Sequence, residues 1–371
     1  ICQDGRITAV AATAVIPNGC PSIDLQGLHV YPGLIDAGTT VGLTEIGKVA
    51  ETHDFAEVGQ FQPDLQAGVA INPDSELIPV ARTGGITTAL IRPTGGVIAG
   101  QASIMQLAGW TAPEMVRVLS AGLQIHWPGV HDNAEQFQQL RRWIKDARIY
   151  DSARSAAPEA GGIPRLVDPR YEALRPYVRG ERPIFIEAHS LQHLSEALKF
   201  AKLEKLNIVL CGATDAWKLA AEIHAAEIPV IVGPVMRAPI SEHDPFDAPY
   251  ANPGRLHEAG VRFCIRSDNA ANSRNAPFEA GMAVAYGLPE EAALRSVTLS
   301  AAETLGIADE CGSISVGKKA DLVILDGSPL QVTSQVKGVV VAGKPFRPES
   351  RQTRLYEKYR QRLHPHAAAM P

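Results

Sequence analysis

Val30-Tyr31-Pro32-Gly33-Leu34-Ile35-Asp36-Ala37-Gly38-Thr39-Thr40-Val41-Gly42-Leu43 is the stretch on which the reading of this chain turns. A largely apolar run from Leu28 to Ile35 is interrupted at Pro32-Gly33, ends at Asp36 and gives way to a loop of small residues. A short apolar run that stops on a polar residue reads as a strand buried on both faces, the kind found in parallel sheets.

Outward from that strand, the pattern alternates. Ile86 to Ile91 is strand-like, Pro113 to Leu119 helix-like with Thr111 as N-cap, Gly122 to Trp127 strand-like, and Asn133 to Tyr150 helical, with Phe137, Leu140, Ile144 and Ala147 at helical spacing. The second half is more regular. Strands at Pro183 to Ile186, Asn207 to Leu210, Pro229 to Val232 and Val261 to Ile265 are separated by helices at Ser190 to Glu204, Thr214 to Ala226, Pro253 to Ala259 and Pro277 to Tyr286. Alternation of this length points to a (β/α) barrel or a doubly wound sheet. No G-x-G-x-x-G follows an early strand, which weighs against a dinucleotide fold. Both chain ends read as short strands and turns: Asp4-Gly5 and Ile7 to Val15 at the start, then Gly312 to Ile314, Ala320 to Gly327 and Val336 to Ala342. A charged, Tyr-bearing helix is expected over Arg351 to Leu363, and an exposed loop over Ser155 to Gly162.

Bulk properties narrow the function classes. The chain has 371 residues, 45% hydrophobic and 20% charged, enough to bury a large core, and carries a net charge of −5. No basic stripe with interleaved aromatics is present, so nucleic acid is not the expected partner. No apolar run approaches the ~20 residues of a membrane span. Cys2, Cys20, Cys211, Cys264 and Cys311 are odd in number, scattered and free of C-x-x-C spacing, which leans toward free thiols and a reducing, cytoplasmic compartment. The sequence opens at Ile1 as if mid-strand, without Met, so the true N-terminus and any targeting segment are expected to precede it.

Three blocks carry a family resemblance. They are Val30 to Leu43; Glu187-Ala188-His189 through Gly233-Pro234; and Ala293 to Leu330, which is similar to the long pattern T-x-x-x-A-x-x-L-G … G-S-I-x-x-G-K-x-A-D-L-V. Together they resemble the amidohydrolase superfamily, in its imidazolonepropionase-like branch. The resemblance implies a distorted TIM (β/α)8 barrel over 32–311, a small composite β-sandwich domain from 1–31 plus 312–349, and a C-terminal helix and tail over 350–371. It also implies hydrolysis of a non-peptide C–N bond at one or two divalent metals. There a metal-bound water attacks the substrate carbonyl while an Asp carries protons.

Carried over residue by residue, the resemblance describes a degenerate metal site. In the family, P-G-[LF]-I-D leads into a His-x-His pair; here Gly38 and Thr40 stand at those positions. Glycine offers no ligand, and a neutral hydroxyl is a poor one. Leu210-Cys211-Gly212-Ala213 stands where a further His is expected, and no bridging Lys is evident. Asp268 matches the last-strand Asp, the expected acid/base; Glu187 and His189 fall where a ligand is expected and are the other expected catalytic residues, as polarising or residual metal-binding groups. The implied cofactor is one divalent, zinc-like ion or none, with His189 and Asp268 as its remaining ligands.

Each assignment has a plainer reading. Asp268, followed by Asn269-Ala270-Ala271-Asn272, could simply cap a loop. His189 could cap the helix beginning at Ser190. Glu187 and His189 share a strand face, so an inward Glu187 needs a cation, for which Arg92 and Arg266 are candidates. Arg92, Gln101, Arg266 and Asn275 are the expected substrate-binding groups, and Gly95 to Gln101 is a glycine-rich loop without a phosphate-loop ending. His126 and His131 read as structural or surface residues, and Cys211 as a buried thiol. Two functions remain open: a diverged hydrolase of a cyclic amide or acylated small molecule, or a silent paralogue that binds a small molecule or serves as an assembly subunit, compatible with a homo-oligomer.

Overall fold

The computed structural model describes residues 1–17, 19–155 and 167–363. Eight strands in consecutive order form one sheet: β1 (Leu34–Thr39), β2 (Ile86–Ile91), β3 (Ile98–Gln106), β4 (Val116–His126), β5 (Ile184–Ala188), β6 (Ile208–Gly212), β7 (Val230–Val232) and β8 (Phe263–Ile265). Five of the junctions are parallel, but β3 runs antiparallel to both β2 and β4. This is a nearly closed TIM-type barrel, distorted at β3.

The barrel curls until β1 and β8 meet, and that seam is sealed mainly by side chains. Asp36, fully buried on β1, accepts from the Ser267 amide at 3.0 Å and from the hydroxyls of Ser267 and Ser273 at 2.5 and 2.8 Å. The Asp268 amide adds one backbone bond to the Gly38 carbonyl at 3.0 Å.

Two apolar layers stabilise the arrangement. Outward residues such as Leu34, Ile91, Ile125 and Ile265 pack beneath the helices. Inward residues including Ile35, Leu90, Phe185, Val209 and Ile231 fill the barrel together with Ala301 and Ala302 of the helix Leu299–Thr304. Each large buried side chain contributes about 1.5–3 kcal/mol of transfer free energy. Phe185 fits because Gly122 faces it: a Cβ at 122 would lie 2.4 Å from the phenyl ring.

His29–Pro32 from the start of the chain pairs antiparallel with Leu322–Leu325, which pairs with Val336–Val341 and then Lys344–Phe346, so one four-stranded sheet draws on both chain ends. The sequence reading departs from the structure in several places. Helix is limited to Ala112–Met115, capped by Thr111, and Val116 already begins β4. The first apolar run forms strand only at Arg6–Ile7, since Val10, Val15 and Ile16 are exposed and have nothing to pair with. Gly312 to Ile314 bends without forming strand. The helix expected at Pro253 starts earlier, spanning Ala248–Glu258 with Pro253 inside it. Of the loop expected over Ser155 to Gly162, all but Ser155 lies outside the described residues.

Candidate functional site

The strand ends bring charged residues from distant parts of the chain to one mouth. Arg92 follows β2, Glu187 lies near the end of β5, His189 follows it, and Arg266 and Asp268 follow β8. Arg266 is the largest fully buried side chain among the described residues. Its Nε donates to the Gly233 carbonyl at 3.1 Å, its Nη1 to Glu187 Oε2 at 2.7 Å and its Nη2 to Glu187 Oε1, and that Nη2 lies 2.9 Å from Asp268 Oδ1. Arg92 joins the same two carboxylates. Its Nη1 donates to Glu187 Oε2 at 3.4 Å, and its Nη2 to Asp268 Oδ1 and, at 3.2 Å, to the Asp268 carbonyl. Two guanidiniums and two carboxylates thus form one closed network.

Gly38 explains why the guanidiniums fit. A Cβ there would lie 2.9 Å from Arg266 Cδ and 3.5 Å from Arg92 Cδ. Gly38 is not in the left-handed backbone region, so the position needs space rather than conformational freedom. Thr40 turns to another task, its Oγ1 accepting from the Ala270 amide at 3.3 Å. Gly212 is as constrained: a Cβ would stand 2.3 Å from His189 Cε1 and 2.7 Å from Glu187 Oε1. No imidazole can occupy either position in this packing.

His189 is fully engaged. Its Nδ1 faces Arg237 Nη1 at 3.1 Å and Thr214 Oγ1 at 3.0 Å; because a guanidinium can only donate, Nδ1 is the acceptor. The proton then sits on Nε2, which donates to Glu187 Oε1 at 3.0 Å. Asp268 is the more open group, its side chain about 35% exposed, with a positive φ of 78° holding it at the rim.

His126 belongs to the mouth, a role that its reading as a structural or surface residue missed. It pairs in register with Glu187 across β4 and β5, and its Nδ1 donates to the Gly96 carbonyl at 3.1 Å, leaving Nε2 as an acceptor. Burial and then the nearby arginines outweigh Glu187 and hold its pKa below the usual range, so the ring is neutral near pH 7. A sequence signal did exist: like Glu187, it is the polar residue that closes a buried strand.

Gln101 and Asn275 are not brought to this cluster. Gln101 is buried in a separate network, donating to the Pro63 carbonyl at 2.9 Å and accepting from Ser120 and Tyr177. Asn275 is half-buried at the end of the 3-10 helix Ser273–Asn275, its side chain donating to Asn272 at 3.4 Å. Cys211 is no thiolate, because burial pushes its pKa up.

The residues present do not fit a divalent metal. Each candidate carboxylate is held by guanidinium, both His189 nitrogens are committed, and two ligand positions are glycines packed against their neighbours. No group of three or more His, Cys, Asp or Glu able to hold a metal occurs among the described residues.

The network sets a pH dependence. Burial pushes Glu187 upward, but Arg266 and Arg92 outweigh it and hold the carboxyl well below the usual 4.5. A folded-state pKa below the unfolded one stabilises above the unfolded value and loses that contribution as pH falls through the folded one. Urea unfolding should therefore show stability falling below about pH 4.5, with Glu187→Gln flattening the fall; an unchanged slope would place the acid sensitivity elsewhere. Asp36 and Glu279, raised by burial, act in the opposite sense: their penalty on the fold is relieved as pH falls.

Comparison with known proteins agrees with this architecture. The Amidohydrolase family pattern matches residues 204–346. Imidazolonepropionase of Symbiobacterium thermophilum is 27% identical over 374 aligned positions, covering 87% of this chain and 82% of that protein. Amidohydrolase tasK of Hapsidospora irregularis is 37% identical over 102 residues, 24% of this chain but only 10% of tasK. An amidohydrolase from Thermotoga maritima superposes with a TM-score of 0.86 at 25% identity, covering 94% of each chain. No helix among the described residues is long and apolar enough to cross a membrane. The barrel and these likenesses agree: the chain is similar to the amidohydrolase superfamily, over most of its length to an imidazolonepropionase and to the Thermotoga amidohydrolase, and its mouth holds arginines where the resemblance implies metal ligands.

Proposed function

We propose that this chain descends from a hydrolase of C–N bonds and has exchanged its metal centre for internal cations, so that it acts as a small-molecule binder or assembly subunit. The observation that carries this reading is the pair Arg92 and Arg266, bonded to Glu187 and Asp268 in front of Gly38. A metal-bound water, the nucleophile of such hydrolysis, has no place to form there. With Arg237, three guanidiniums face two carboxylates, a balance that favours an anionic ligand.

A second reading, a diverged hydrolase of a cyclic amide or acylated small molecule, draws on two groups: the Asp268 carboxylate, about a third exposed, and the acceptor Nε2 of neutral His126. These could move a proton without a metal. Metal analysis of protein purified without chelator, with turnover assays on cyclic amides and acylated amino acids, separates the readings. The expected result is no stoichiometric transition metal and no turnover. Chelator-insensitive turnover lost on Asp268→Asn would establish the hydrolase instead, and stoichiometric zinc lost on Asp268→Ala would overturn both.

A further inference from the structure

The helix Arg351–Leu363 carries five basic residues and one acidic, +4 on a chain whose total is −5. Apart from the half-buried Thr353, its residues from Arg351 to Arg362 are exposed, including Leu355, Tyr356 and Tyr359. A 13-residue helix is marginal in water without packing, and apolar and aromatic side chains on an otherwise cationic helix mark a face that lacks its cover.

The complementary surface lies on the same chain. Between Glu45 and Glu76 stand seven acidic residues and one lysine. Glu51, Asp54, Glu57, Asp64 and Asp74 are exposed and form no ion pair among the described residues, and exposed Ile46, Val58 and Val69 lie among them. The helix borders this segment, with Arg354 3.9 Å from Glu76 and lining one cleft with Asp74, yet most of the acidic surface stays uncovered.

We propose that the occupant of this surface is a second copy of the chain, in an isologous dimer where each basic helix lies across the partner's acidic segment. Because helix and segment adjoin, one two-fold axis can exchange both contacts at once. Helix against helix would set +4 against +4, and segment against segment would oppose like charges; the reciprocal exchange alone pairs opposite charges.

Sedimentation velocity on the full chain tests this. A dimer is expected at low salt, weakened at least about tenfold at high salt because the pairs are solvent-exposed. Arg354→Glu with Arg360→Glu should give monomers of unchanged melting temperature. Mixing that variant with a Glu51→Lys, Glu57→Lys copy should restore a mixed dimer. Should the reversals disturb folding, Tyr356→Ser with Tyr359→Ser tests the same contact. A monomer under all conditions, a dimer indifferent to salt and charge reversal, or association only with a different protein would overturn the proposal.

Discussion

Arg266→Met should cost about 3–5 kcal/mol of folding stability, read as a lower urea midpoint at an unchanged slope. Methionine keeps much of the volume and removes the charge. Glu187 would then retain only Arg92 at 3.4 Å and His189, and the Gly233 carbonyl would lose its donor. The magnitude comes from the uncompensated buried carboxylate, since breaking one partner of a buried pair costs far more than the intact pair contributes. Arg92→Met should cost less, because its contact with Glu187 is longer and Arg266 still holds both carboxylates. A loss below about 1 kcal/mol for Arg266→Met would mean that water reaches the network and screens it.

Gly38→Ala should destabilise by about 1–3 kcal/mol, the cost of one methyl forced into a packed site. Its effect depends on what stands at 266. In an Arg266→Ala background the atom 2.9 Å from the new Cβ is gone, and the remaining neighbour, Arg92 Cδ at 3.5 Å, is an ordinary contact. Gly38→Ala should there be nearly neutral, a coupling of at least about 1 kcal/mol. In an Arg266→Met background, where an atom still occupies the δ position, the cost should persist. That contrast separates space from charge. Additive effects in the alanine cycle would show that Gly38 serves something other than the guanidinium pair.

Much of the barrel was legible because buried parallel strands announce themselves as short apolar runs, and Pro183 to Ile186 and Asn207 to Leu210 coincide closely with β5 and β6. The segment Pro113 to Leu119 was not, because its register partners decide it: Val116 and Val118 pair with Met105 and Ile104 on β3, and that ladder outweighs local helical spacing. At the mouth, the loss of imidazoles could be read from the identities of Gly38, Thr40 and Gly212. What replaced them was legible only as a requirement: an inward Glu187 needs a cation, with Arg92 and Arg266 as candidates, and the structure supplies both, although the three residues are separated by 95 and 79 positions and meet only in the closed barrel. Gln101 lies in β3 and Asn275 at the end of a short 3-10 helix, and residue type alone does not disclose which way either side chain points.

The seam at Asp36 has a consequence for how the molecule comes apart. Seven strand junctions are held by backbone ladders, which fail only if many bonds fail together. The eighth rests largely on one carboxylate gripping an amide and two hydroxyls. Partial unfolding is therefore expected to start at that edge, with the arginine network, whose members lie on both sides of the line, dispersed as the seam opens. Hydrogen exchange should then be faster at the Ser267 and Asp268 amides than along the ladders, and equal protection would show that the helix Leu299–Thr304, which packs on both edges, holds the seam instead.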